Sequence, residues 1–271
     1  MNNSRLRCVS LFLLLFCFSA CVFANSVPGG IAMIGIQSAS RPSAWYQGNR
    51  VLIIGKANNW KAVVGIDLNA NAGIHFLEIE SRGVKTLRNF DVSDKQYKTQ
   101  HITIQDKRKV NPDPLDMERI NKDIASIALV KGSWLDVHRE SIDLILPVTG
   151  PYTSPFGLRR FFNKQARKPH SGLDIAAGEG TSISAAGSGK VINIGDYFFN
   201  GKTVFLDHGQ GLITMYCHMN SIDVSIDQEV QQGETIGSVG QTGRVTGAHL
   251  HWGVILNKTM VDPELLISQP N

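Results

Sequence analysis

The stretch Gly247-Ala248-His249-Leu250-His251-Trp252-Gly253-Val254-Ile255-Leu256 decides how this chain is read. From His249 to Leu256 its apolar, β-branched and aromatic residues have strand character. Strand alternation then puts His249 and His251 on one face and Leu250 on the other. Upstream, His170-Ser171-Gly172-Leu173-Asp174 offers a further imidazole and a carboxylate. Gly172 argues against a helix there, so a loop entering a strand at Leu173 is expected to present His170 and Asp174. One carboxylate and three imidazoles are the ligand types Zn²⁺ takes where three protein ligands leave a position for water. A cation in such a site acidifies that water to a pKa near ~7. The set points to metal-assisted hydrolysis.

Between the two strings lies Tyr216-Cys217-His218. Alternation predicts that Tyr216 and His218 share a face and that Cys217 points away as apolar filler. An H-x-H pair alone is weak, and so is H-x-x-x-D; the combination carries the reading. His75, His101 and His138 have no partners by spacing and are assigned no function. His208, in Asp207-His208-Gly209, reads as a structural residue in a hairpin turn.

A chain of 271 residues, 42% apolar and 18% charged, can bury real cores in one or two domains. Its start does not belong to them. Arg5 and Arg7 precede an apolar run, Val9 to Phe18, too short to span a bilayer comfortably. Val22-Phe23-Ala24 reads as a cleavage site, so residues 1–24 read as a signal peptide. The expected location is the periplasm; an outer-membrane lipoprotein, through Ser19-Ala20-Cys21, is the less favoured alternative. Of the 4 cysteines, Cys8, Cys17 and Cys21 lie in the leader, and only Cys217 clearly remains after cleavage. With one thiol there is no internal disulfide to staple the fold. Arg5 and Arg7 leave with the leader, so the net charge falls from +4 to +2. That is no signature of nucleic-acid binding.

Residues 25–108 carry short alternating runs at Ile31–Ile36, Val51–Ile54, Lys61–Ile66, Ile74–Glu80 and His101–Ile104, separated by turn formers. They predict an accessory β domain, a small sandwich or barrel. Residues 109–147 read as a helical linker. Pro112-Asp113-Pro114 breaks the chain, and Leu115, Ile120, Ile124, Ile127 and Leu129 fall at helical spacing. Ile142 to Val148 returns to strand character. Residues 148–265 are glycine-rich, with strands expected at Val191–Ile194, Thr203–Leu206, Leu212–His218 and His249–Leu256. The predicted class is mainly β, with an antiparallel C-terminal domain.

The residues then match a known family. Ser154-Pro155-Phe156-Gly157-Leu158-Arg159, His170-Ser171-Gly172-Leu173-Asp174, Tyr216-Cys217-His218-Met219 and Gly247-Ala248-His249-Leu250-His251 together resemble the lysostaphin-type (LytM-like) zinc metallopeptidases. The resemblance spans roughly Thr149 to Pro263. It implies a compact antiparallel β domain with a groove over zinc, and cleavage of peptide bonds in bacterial peptidoglycan. It implies His170, Asp174 and His251 as zinc ligands and His218 and His249 as the catalytic pair, with the choice of base left open. Arg159, Asn163 and Tyr216 are the expected substrate-binding residues. The basic run Arg159, Arg160, Lys164, Arg167 and Lys168 is either a solvated loop or a lip that steers peptide carboxylates. A weaker resemblance makes the N-terminal region an accessory domain that docks the enzyme on the wall or an envelope partner, or shields the groove. The alternative is a non-catalytic envelope protein that activates or scaffolds a cell-wall amidase; the intact ligand set argues against it.

Overall fold

The computed structural model describes residues 26–268. The expected signal peptide, and with it the lipidation alternative, lies outside the described residues. Among the described residues, eight strands and one α-helix build the N-terminal half: β1 (Ile31–Ile36), β2 (Ser43–Tyr46), β3 (Asn49–Arg50), β4 (Leu52–Lys56), β5 (Asn59–Gly65), β6 (Gly73–Ser81), β7 (Val84–Val92), β8 (Thr99–Ile102) and helix α1 (Pro114–Lys131). Two antiparallel sheets, ordered β1-β5-β4 and β3-β2-β6-β7, close on each other as a sandwich. Their shared core includes Ile34, Tyr46, Val64, Leu77 and Ile79.

Helix α1 starts where Asp113 caps it, its side chain accepting from the Asp116 N–H at 2.8 Å, with Pro114 in the first turn. The helix agrees with the expected segment, but its buried face is narrower. Ile120, Ile127 and Val130 turn inward, whereas Leu115 and Leu129 are 77% and 79% exposed. The expected strand at Ile142–Val148 does not form. Leu144 makes a single parallel bridge to Ile267, and Leu144 and Val148 pack into the core from irregular backbone.

The C-terminal half contributes β9 (Tyr152–Ser154), β10 (Arg159–Phe162), β11 (Gln165–Ala166), β12 (Leu173–Ala176), β13 (Ser182–Ser184), β14 (Gly189–Tyr197), β15 (Gly201–Asp207), β16 (Ile213–Cys217), β17 (Met219–Ile222), β18 (Glu229–Val230), β19 (Thr235–Val239), β20 (His249–Leu256) and β21 (Thr259–Val261). The main sheet runs β18-β14-β15-β16-β20-β12-β9, with β21 added beside β20. Every pairing in it is antiparallel. One face of its centre presents Tyr216, Leu250, Trp252 and Val254 to the large core. That core also takes in Ile31, Leu52, Ile54 and Val63 from the N-terminal strands. The opposite face carries Ile213, Met215, Cys217 and Ile255, which α1 covers through Val130 and Ile127.

The two halves also join through a strap. Strand β8 pairs in parallel with β10, Thr99 to Arg159 and Ile102 to Phe162. Asn163 clamps the end of the strap, its side chain accepting from Ile104 N at 2.8 Å and donating to Ile104 O at 3.0 Å. At the other end the Tyr97 ring lies against Gly157, whose φ of 85° and lack of a Cβ let the ring sit there.

Candidate metal centre

Three adjacent strands assemble the centre. Strand β12 pairs with β20 so that Asp174 stands opposite His251 and Ala176 opposite His249. Directly opposed residues in a sheet share a face. Asp174, His249 and His251 therefore point together, as alternation predicts for the two histidines. His170 reaches the same point from the loop before β12. Its Nε2 lies 2.9 Å from Asp174 Oδ1 and 2.9 Å from His251 Nδ1, and His251 Nδ1 lies 2.7 Å from Asp174 Oδ1. Close approach is needed here: a Cβ on Gly172 would stand 2.7 Å from the His251 ring and 2.6 Å from Trp252 O.

The donor chemistry suits a divalent cation. His170 Nδ1 is 2.9 Å from Pro155 O. Placing the ring proton in that hydrogen bond leaves the Nε2 lone pair for the cluster. Burial pushes the His170 pKa down to about 4, so the ring is neutral near pH 7. Burial would raise the Asp174 carboxyl, but its contacts with the His170 and His251 ring nitrogens outweigh it and hold the group well below the usual carboxylate range. Arg160 donates to Asp174 Oδ2 at 2.8 Å and fixes the carboxylate orientation. Two imidazoles and one carboxylate, converging and partly buried, match a three-ligand zinc site.

His218 and His249 flank this cluster, with ring centroids 4.9 Å apart. His218 joins them because the chain breaks alternation. Strand β16 ends at Cys217, and His218 has φ 63°, in the left-handed region. Its Nδ1 lies 2.8 Å from Thr242 O, and His249 Nδ1 lies 2.9 Å from Gly247 O. Both rings thus turn Nε2 toward the groove; that of His249 is 3.9 Å from Asp174 Oδ1. Burial, reinforced by His251 and His249, pushes the His218 pKa down to about 3, so it is a neutral acceptor.

The expected face assignment for Tyr216-Cys217-His218 is corrected by the same break. Cys217 stands opposite His251, lies on its face of the sheet and is buried in the apolar cluster that includes Phe205 and Met215. Tyr216 lies on the other face and is fully buried. Its hydroxyl accepts from Ala186 N at 2.8 Å and lies 2.9 Å from Thr214 Oγ1, so it cannot touch a substrate. Asn163 is likewise committed to Ile104. Arg159 points out of the groove, with its guanidinium 3.4 Å from Gln96 Oε1. Its neighbour Arg160 faces in. The alternation of β10, which puts Arg160 and Phe162 on one side, was the sequence signal for this. His208 is structural as expected: it is buried, Nδ1 2.9 Å from Ser188 O and Nε2 2.7 Å from Thr214 Oγ1.

The cluster opens into a groove of about 360 Å³. Arg160, Arg244, His218 and His249 line one part of it. Gln100, Ile102 and Ile104, from the strap, line another. Neither Arg244 nor the strap residues could be found from spacing, because they come from loops and a distant strand.

Residues 168–263 match Peptidase family M23, and residues 24–95 match the Peptidase family M23 N-terminal domain. The crystal structure of a peptidase M23 from Pseudomonas aeruginosa is 40% identical, with a TM-score of 0.76 over 89% of this chain and 95% of that one. Peptidoglycan DD-endopeptidase ShyC of Vibrio cholerae is 43% identical over 96 residues, 35% of this chain and 22% of the relative. Peptidoglycan DD-endopeptidase ShyA of the same organism is 33% identical over 141 residues, 50% of this chain and 33% of the relative. The chain thus spans a third or less of those two relatives.

Proposed function

Since this chain belongs to peptidase family M23, we propose that it hydrolyses peptide bonds in bacterial peptidoglycan as a zinc metalloendopeptidase. One observation carries the reading: His170, Asp174 and His251 converge on a point that His218 and His249 overlook, at the floor of an open groove. His170, Asp174 and His251 would hold the cation. When bound, zinc supplies an acidified water and polarises the scissile carbonyl. The chain's own residues do the rest. One of His218 and His249, neutral at Nε2, accepts the water's proton. The other, when it carries a proton at Nε2 as well, donates that N–H to the developing oxyanion. Arg160 keeps Asp174 aimed.

The DD-endopeptidase relatives make the D,D cross-link the first bond to test. Five intact polar groups in one constellation argue against the non-catalytic activator. Export through the 1–24 leader belongs to the same proposal, as does the division into an accessory unit of residues 25–108, a linker of 109–147 and a peptidase unit of 148–265. The strap supports a shielding role for the N-terminal half, because Ile102 and Ile104 stand in the groove wall. The test is incubation of purified protein with peptidoglycan, with and without chelator. New amine termini that vanish with chelator are expected; none in either condition would refute the enzyme.

A further inference from the structure

The groove holds an uncompensated cation. Arg244 is stacked between two aromatic rings, its guanidinium carbon 4.1 Å from the Phe199 centroid and 4.8 Å from that of Phe162. Its one side-chain hydrogen bond among the described residues is from Nη1 to Lys109 O, at 3.3 Å. No carboxylate among the described residues lies within ion-pairing distance of it; Asp174, on the same groove, pairs with Arg160 at 2.8 Å. Arg160 has an orphan of its own, a buried Nε with no partner. Burial, then the nearby Arg160 and Arg167 charges, pull the Arg244 pKa down to about 10. Two guanidiniums thus meet in one groove with unspent donors and one carboxylate between them. Leaving such donors unpaired is costly, more so for charged groups. Rings holding Arg244 flat fix its fork before any ligand arrives, and that fork fits a carboxylate with two parallel bonds.

We propose that Arg244, with Arg160 beside it, forms a carboxylate subsite of the groove, so that the protein selects peptides bearing a free carboxylate within a few residues of the bond it cuts. The proposal rests on the peptidase reading and adds to it a substrate feature and the residue that reads it. The carboxylate is either the terminal one of a stem peptide or one beside the cross-link. Arg244 plays no part in the chemistry and is a specificity residue.

The experiment uses full-length zinc-loaded protein and synthetic cross-linked peptide dimers in three forms: free, amidated at the terminal carboxylate, and amidated at the carboxylate beside the cross-link. The wild type should lose about tenfold or more in kcat/KM on one amidated dimer, the size of one lost charge-assisted hydrogen bond. Which dimer suffers identifies the carboxylate. R244Q should cut the free dimer no faster than that amidated one, and should cut the amidated dimer within about twofold of wild type. R244K, which keeps the charge and loses the fork, should retain part of the preference. Equal cleavage of all three dimers by the wild type would overturn the subsite while leaving the peptidase intact. So would an R244Q that loses the same factor on free and amidated dimers. Cleavage of no dimer by the wild type would take down the peptidase reading and the subsite together.

Discussion

Asp174 and His251 face each other across neighbouring strands, with Oδ1 and Nδ1 2.7 Å apart. That register brings two sequence-distant strings to one point. It predicts a division of labour. His170→Ala and Asp174→Ala should lose bound metal and activity together. His249→Ala should keep one metal and lose turnover by about 10²–10⁴-fold, the usual contribution of a general acid–base group. Metal content measured alongside kcat separates the two classes. A metal-free His249→Ala protein would refute the assignment.

Arg160 touches the centre only through Asp174 Oδ2. Arg160→Gln should therefore weaken zinc by about 10- to 100-fold, as loss of a partner to a ligand does. At saturating metal and saturating substrate kcat should stay near wild type, and any loss at the carboxylate subsite should show in KM alone. Competition with a chromophoric chelator reads the affinity; an unchanged affinity would remove Arg160 from this role.

Tyr216 bonds only to the interior. Tyr216→Phe should leave KM unchanged and cost about 1–3 kcal/mol of stability, because the buried Ala186 N–H loses its acceptor. Urea unfolding measures the loss. A raised KM with unchanged stability would return Tyr216 to the substrate.

Acid should destabilise the metal-stripped protein in a definite window. Burial pushes the His208 pKa down to about 4, while the unfolded chain protonates the same ring near ~6.5. Between those values the unfolded state binds more protons. Stability is therefore complete above about pH 6.5 and declines as the pH falls toward 4. His170 and His218 add to the slope. His208→Gln removes one of these groups. Its unfolding midpoint should drop less than that of wild type between about pH 7 and about pH 5; an equal drop would count against the account.

The strap makes an opposite kind of prediction. If Ile102 and Ile104 restrict the groove, I102G together with I104G should raise kcat/KM on peptidoglycan several-fold. A fall would mean that the strap serves the substrate instead.

Much of this was legible from the residues, and the misses have physical causes. His249 and His251 lie on one face because β20 is regular, and alternation reads regular strands well. Alternation misplaced Cys217 and Tyr216 because His218 takes a left-handed φ that no short-range pattern announces. The matched motif favours Arg159 of the basic run, yet Arg160 lines the groove, because a motif does not declare which neighbour faces inward until its strand is known. In α1 the helical spacing was right, but Leu115, Ile124 and Leu129 stay exposed, since the side of the helix that packs on the sheet carries Ile127 and Val130. The strap and Arg244 were beyond reach: both depend on contacts between segments far apart in the chain.

Titrating zinc into the chelator-stripped protein while following release of amine termini from peptidoglycan tests the central claim most directly. Activity should rise linearly and stop at one equivalent, and Asp174→Ala should neither bind nor recover. Full hydrolysis by the stripped protein, or tight stoichiometric zinc in Asp174→Ala, would contradict it.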